Sequence, residues 1–134
     1  MNWKLIFGLS LFGLAMAIAT VFVIPSNIEP VFWLAIFMIC AYLIARARSA
    51  GHFLHGFMVG IVNCVWVTGA HILFFQQYIA KHPKEASMMT SMPLADSPRL
   101  MMALVGPVVG IITGLIIGLL AFIAGKLVKP RSAP

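Results

Sequence analysis

The sequence predicts an all-α integral membrane protein, a four-helix bundle with both termini on the cytoplasmic side (N-in/C-in). Of its 134 residues, 62% are hydrophobic and only 9% are charged, and the mean hydropathy is +1.05. A soluble domain is about 45–50% apolar and about 25% charged. Four apolar runs follow one another, and basic residues collect on one side of them. These observations exclude an ordinary soluble domain.

The apolar runs predict a single transmembrane domain over residues 1–134. A transmembrane helix needs about 20 mostly apolar residues. The runs predict helices over about 4–24, 30–47, 52–80 and 98–127, with an external loop over about 81–97. Pro30 and Pro98 stand where the second and fourth helices begin, a position that tolerates proline. The first run continues apolar to Ile24, which favours a retained helix over a cleaved signal peptide.

Charge placement predicts the orientation. With the N-terminus inside, the basic residues divide six to three, with Lys4, Arg46, Arg48, Lys126, Lys129 and Arg131 inside and Lys81, Lys84 and Arg99 outside. Cytoplasmic loops of membrane proteins carry an excess of Lys and Arg. All three acids, Glu29, Glu85 and Asp96, fall on the outer side. The inner side therefore carries the whole charge of +6, and the outer side sums to zero.

Glycine recurs every four residues in the fourth predicted helix. The repeat consists of Gly106, Gly110, Gly114 and Gly118. This spacing makes a smooth groove, and helices in lipid associate through such close backbone approach. Three partners fit the groove, namely the first helix through Gly13 and Ala17, the third helix through Gly56 and Gly60, or a second copy of the chain. The sequence does not choose among them.

The third predicted helix carries the most polar residues. Asn63 lies near its centre, beside Cys64 and within two turns of Thr68 and His71. Inside a membrane a side-chain amide needs a hydrogen-bond partner. A backbone carbonyl or the hydroxyl of Ser10, Thr20 or Thr113 would supply one. The alternative is a polar pocket for a small ligand, lined by Asn63, Cys64, Thr68 and His71.

Metal and haem binding have limited support. His55 and His71 are sixteen residues apart, about 24 Å along a helix, so they cannot share one haem. No cofactor and no metal site are therefore predicted. His82, Met88 and Met92 are of the residue types that bind Cu(I), and they remain the candidate metal ligands.

Several signatures of chemistry are missing from the sequence. No Asp or Glu lies within a predicted span, which disfavours proton- or sodium-coupled transport. The chain has no HExxH motif, no paired acids, no Ser/His/Asp set and no phosphate-binding loop. Cys40 and Cys64 form no CxxC pair and indicate no redox centre. An enzyme is therefore not expected.

Three segments resemble a known class of protein. They are the basic loop 46–48, the polar start of the third helix over 51–56, and the glycine-striped last helix ending at Gly125-Lys126. With these features the whole chain resembles the small four-helix inner-membrane proteins of bacteria that are grouped as families of unknown function. The resemblance implies a bacterial inner membrane and no known activity.

These observations favour a non-enzymatic protein that acts by helix packing, as an accessory or self-associating subunit. Its expected partners are the lipid bilayer and either itself or another membrane protein, and no nucleic acid is expected. One alternative is a small carrier or channel for an ion or small solute, with a path lined by the third helix. A further alternative is a haem- or copper-binding membrane protein.

Overall fold

The computed structural model describes residues 1–130, and Arg131 lies outside them. The described chain contains six α-helices, α1 (Trp3–Phe22), α2 (Glu29–Ala47), α3 (His52–Leu73), α4 (Phe75–Lys81), α5 (Pro83–Thr90) and α6 (Pro98–Leu127). Helices α1, α2, α3 and α6 are long and apolar enough to cross a membrane. The prediction of an all-helical chain with four such helices is therefore confirmed.

The helix starts follow local chemistry. The Asn2 side chain accepts a hydrogen bond from the Leu5 N–H and caps α1. Proline occupies the first turn of α2, α5 and α6, where a missing N–H costs nothing. The residue before α3 is Gly51, with φ of +72°, a backbone conformation that glycine adopts without steric cost.

The structure differs from the sequence prediction in residues 52–97. The third predicted helix, 52–80, breaks at Phe74, so α3 ends at Leu73 and the short α4 follows. The 22 residues of α3 already extend about 33 Å, the thickness of the hydrocarbon core. After the turn at Phe74, Phe75 and Tyr78 are both buried. The predicted external loop contains α5.

Two contacts place three helix ends together. The Asn2 N–H donates to Nε2 of His55 (3.0 Å), and Gly125 near the end of α6 packs against the His52 ring. The start of α1, the start of α3 and the end of α6 therefore share one end of the molecule, which we call the basal end. We call the opposite end, with α4, α5 and the α1–α2 turn, the distal end.

Helix α3 lies between α1 and α6, and α6 also packs against α2. Buried apolar side chains from all four long helices form a core in the basal half, consisting of Ile6, Leu9, Cys40, Ala41, Ile44, Val59, Ile117 and Ala121. This basal core holds α2 against α6. The two free cysteines, Cys40 and Cys64, sit on different helices.

The glycine stripe of α6 packs against α3 of the same chain. A Cβ atom on Gly56 would lie 2.7 Å from the Ile117 carbonyl oxygen, and one on Gly114 would lie 2.8 Å from that of Phe57. Gly118 faces Phe53 in the same way. The glycines of both helices therefore allow backbone-to-backbone contact. Of the three partners that the sequence allows for the glycine groove of α6, the structure shows α3.

We expect Gly60→Ala to destabilise the protein by about 2 kcal/mol, a typical cost of overpacking. A Cβ atom there would lie 2.5 Å from the Gly114 backbone nitrogen, which cannot rotate away. The matched control is Gly69→Ala in the same helix, because nothing lies within 4 Å of that position. Unfolding in mild detergent measures both variants. Equal stability of the two would contradict the packing described here.

Candidate functional site

A cavity of about 770 Å³ occupies the distal half of the molecule. Its walls come from α2, α3 and α6, and α5 with the residues after it covers another side. On α6 the lining runs from Met101 to Ile116, about 22 Å of helix. The basal core begins where the lining ends, at Ile117, so the cavity is closed toward the basal end. The volume is within the usual range of ligand pockets.

The four side chains predicted to line a pocket all lie on this cavity. Two of them also hold α3 against α6. The Cys64 thiol donates to the Gly106 carbonyl oxygen (3.0 Å), and Cys64 packs against Gly110. Thr68 fills the space above Gly106. Cys64 and Thr68 thus have packing contacts, and Asn63 and His71 carry the polar character of the α3 wall.

Asn63 is 4% exposed and packs over Gly13 of α1. Within residues 1–130 neither its amide nitrogen nor its amide oxygen has a hydrogen-bond partner. The hydroxyls predicted as partners bond elsewhere instead. Ser10 donates to the Phe7 carbonyl, Thr20 to that of Ala17, and Thr113 to that of Val109. Asn63 thus belongs to the cavity wall, but its amide is turned toward Gly13 of α1 and its hydrogen-bonding capacity is unused.

An aromatic stack closes the distal end of the α3 wall. The ring of Tyr78 lies between those of His71 (4.0 Å) and His82 (4.3 Å). Thr20 of α1 approaches Nε2 of His71 to 3.1 Å. The stack links α1, α3 and α4, which explains why the chain turns at Phe74.

Glu29 and His82 form an ion pair beside this stack. Nε2 of His82 lies 3.3 Å from the Glu29 carboxylate, and Nδ1 lies 3.0 Å from the Tyr78 carbonyl oxygen. Both neighbours only accept hydrogen bonds, so each contact uses a proton on the His82 ring nitrogen that makes it. The indole N–H of Trp33 donates to the other Glu29 oxygen (2.9 Å). Each carboxylate oxygen of Glu29 thus has a hydrogen-bond partner.

Glu85 faces the cavity from α5. The Ser26 hydroxyl donates to one carboxylate oxygen (2.9 Å). No ion pair involves Glu85 among the described residues. Met88, Met89 and Met92 follow it at helical spacing and line the same cavity. Helix α5 therefore presents one carboxylate and a row of methionines to the cavity.

The basic residues of the distal end lie away from the cavity. Arg99 sits over the Phe75 ring, 5.5 Å from its centre. Lys81 and Lys84 are exposed, and no Lys or Arg of the described chain lines the cavity. Asp96, the third acid, borders a separate shallow depression together with Arg99. The distal charges sum to zero, yet those facing the cavity are acidic.

The candidate copper ligands are separated by the structure. His82 is fully buried, and both of its ring nitrogens are occupied by Glu29 and Tyr78. Met88 and Met92 line the cavity with three other methionines, whereas His82 does not. No group of three or more His, Cys, Asp or Glu with metal-site geometry occurs in residues 1–130.

Sequence reasoning missed the acidic and aromatic part of the site. The sequence places Glu29 and Glu85 on the outer side of the membrane and Tyr78 near the end of the third predicted helix, which does not show that they meet. One local signal was available, since Glu85, Met88, Met89 and Met92 have the i, i+3, i+4, i+7 spacing of one helix face. That spacing predicts an amphipathic helix but not the surface that it covers.

We expect the Tyr78 phenol to remain protonated at pH 10, the ordinary pKa of tyrosine. Burial raises the pKa of Tyr78, and the negative charges of Glu29 and Glu85 raise it further. A Tyr42→Phe background leaves Tyr78 as the single tyrosine, so the tyrosinate absorbance reports it alone. The pKa of Tyr78 is higher in the folded than in the unfolded state, so folding favours the protonated phenol. The contribution of Tyr78 to the free energy of unfolding is therefore fully present below about pH 10 and is lost as the pH rises through the folded-state pKa.

In that background Glu85→Gln should lower the pKa of Tyr78, since it removes one of the two charges. Asp96→Asn is the control because Asp96 does not contribute to the shift. Ionisation of Tyr78 at its ordinary pKa, or equal effects of the two variants, would contradict the described position of Glu85.

The cavity thus combines apolar walls, one unpartnered amide and one uncompensated carboxylate. Such an arrangement suits the reversible binding of a small molecule with both apolar and polar parts. No family model, no curated protein and no solved structure matches this chain.

Proposed function

We propose that the protein is a four-helix bundle of the bacterial inner membrane that binds a small amphiphilic solute in its distal cavity. It is a non-enzymatic, solute-binding protein of the carrier type. The observation that carries the proposal is a ligand-sized, mainly apolar cavity with the Glu85 carboxylate on its wall. The unpartnered amide of Asn63 lies just behind that wall, and rotation of its side chain would turn it into the cavity. A buried polar group without a partner costs about 1–3 kcal/mol. A ligand that supplies the missing hydrogen bonds would recover that cost.

The closed basal half supports a carrier over an open channel. Val59, Ile117 and Ala121 are fully buried in the basal core, directly below the cavity. A path across the membrane requires these packed side chains to separate. The cavity therefore holds a solute at one side until the helices rearrange.

The line along which α2 and α6 meet, here called the α2–α6 seam, supports the proposal that the solute is amphiphilic. Leu34 on α2 is 60% exposed and Val109 on α6 is 50% exposed, although both line the cavity. The cavity is therefore open along this seam, on a surface that lipid chains cover in a bilayer. A molecule dissolved in the membrane can enter there without passing through water.

The accessory-subunit hypothesis stays a prediction. Its motivation was the glycine stripe of α6, and α3 of the same chain occupies that stripe through Gly56 and Gly60. The stripe alone therefore no longer calls for a second protein. The protein can carry a solute by helix rearrangement and also associate with another protein. Identification of the proteins that co-purify with it tests the association.

We propose an orientation with both termini in the cytoplasm and the cavity on the outer side. The basal end carries Lys4, Arg46, Arg48, Lys126 and Lys129, and the acids lie at the distal end, which matches the positive-inside rule. We expect Ser91→Cys to react with a membrane-impermeant maleimide on intact cells and Ser49→Cys to react only after permeabilisation. Both positions are exposed. The reverse labelling pattern would refute this orientation.

The binding proposal is tested with 4-bromobenzyl alcohol, a neutral amphiphile whose bromine quenches tryptophan on contact. Trp33 lines the cavity, so we expect saturable quenching in lipid nanodiscs that Trp33→Phe removes. Val109→Phe fills the cavity wall and should weaken binding about tenfold. Asn63→Leu should also weaken binding, while it stabilises the free protein by removing an unpartnered buried amide.

Val108→Phe is the matched control for Val109→Phe. Val108 is 56% exposed on the same helix and does not line the cavity, so its substitution should leave binding unchanged. The proposed function fails if wild-type protein shows no saturable quenching beyond that of Trp33→Phe. It also fails if the two valine variants behave alike.

A further inference from the structure

We propose that the solute is an organic cation, held with its positive group at Glu85 and its apolar body between the methionines and aromatic rings of the cavity. This inference rests on the proposed function and names the class of ligand for the same site. It follows from the charges that face the cavity, the environment of Glu85 and the independent position of Asn63.

The charge of the cavity wall is negative. Glu29 and Glu85 are the two carboxylates that line it, and no Lys or Arg among residues 1–130 does so. Glu29 is paired with His82 and Trp33, whereas Glu85 has no basic partner among the described residues, so Glu85 supplies negative charge without a basic neighbour. An anionic solute would therefore meet repulsion without any opposing cation, whereas a cationic solute would meet attraction.

Glu85 has an incomplete set of partners. Ser26 donates to one of its oxygens, and the other accepts no hydrogen bond from the described chain. The side chain is half-buried between α5 and the α1–α2 turn. Charge attraction is stronger near apolar walls than in bulk water. An ammonium group placed here would complete the hydrogen bonds of Glu85 and compensate its charge.

The remaining walls suit the apolar part of such a cation. Met88 and Met89 of α5, Met92 just after it, and Trp33 and Phe37 of α2 line the same cavity. Methionine is flexible and polarisable, so it adapts to ligands of different shape. Aromatic faces attract positively charged groups. These walls favour a compact organic cation over a bare metal ion or a strongly hydrated one.

Asn63 is the second, independent observation that indicates a ligand. It is more than nine-tenths buried, its amide has no partner within residues 1–130, and it belongs to the cavity wall. Eight residues separate it from His71 at the distal stack, about 12 Å along α3. A neutral hydrogen-bonding group on the solute, remote from its cationic end, would pair with this amide.

Three probes of nearly equal shape test the inference, namely 4-bromobenzylammonium, 4-bromobenzyl alcohol and 4-bromobenzoate. Quenching of Trp33 at pH 7 in nanodiscs of zwitterionic lipid measures their binding, since such a bilayer carries no net charge of its own. We expect the cation to bind about tenfold more tightly than the anion. Glu85→Gln, which can still accept from Ser26, should erase the difference.

Asp96→Asn is the matched control, because it removes the same charge from the same end without touching the cavity. It should leave the cation preference intact. Equal binding of the three probes, or equal effects of Glu85→Gln and Asp96→Asn, would overturn the assignment of a cation and leave the solute-binding function standing. Absence of saturable binding for all three would overturn both.

Discussion

The close contact between α3 and α6 determines the arrangement of the other elements. In a membrane no hydrophobic force drives one helix against another, so association depends on packing and backbone proximity. Gly56 and Gly60 on α3 meet Gly114 and Gly118 on α6, and any side chain at these points would collide with backbone. Because backbone cannot move aside as a side chain can, the contact fixes both the distance and the register of the two helices.

The cavity is a consequence of that fixed register. Helix α6 follows α3 over most of its length, whereas the buried side chains that α2 contributes to the core, Cys40, Ala41 and Ile44, lie in the basal half. Toward the distal end α2 presents Trp33 and Phe37, which border the remaining space without filling it. Helix α5 covers part of the gap. The same packing that makes the basal half solid thus leaves the distal half open.

The polar groups of the distal half form two sets, those that contact one another and those with unused hydrogen-bonding capacity. Glu29 pairs with His82, and the rings of His82, Tyr78 and His71 stack in a series that fastens α4 to the long helices. Asn63 and Glu85 do not take part in it, and each keeps unused hydrogen-bonding capacity, Glu85 at the cavity and Asn63 just behind its wall. Unsatisfied polar groups lower stability and are commonly retained where function needs them. The polar groups that hold the helices together and those proposed to bind a ligand are therefore distinct sets.

The sequence by itself determined the four apolar helices, the glycine repeat and the polar stretch from Asn63 to His71. These features depend on composition and on the periodicity of single helices, which are local properties. The tertiary structure decided which helix occupies the glycine stripe, why the chain turns at Phe74, and that Glu29 and Glu85 face inward. Those outcomes depend on contacts between residues more than fifty positions apart, such as Ser26 with Glu85 and Glu29 with His82. Local periodicity places a residue on a face of its own helix, and only the packing of several helices decides what that face meets.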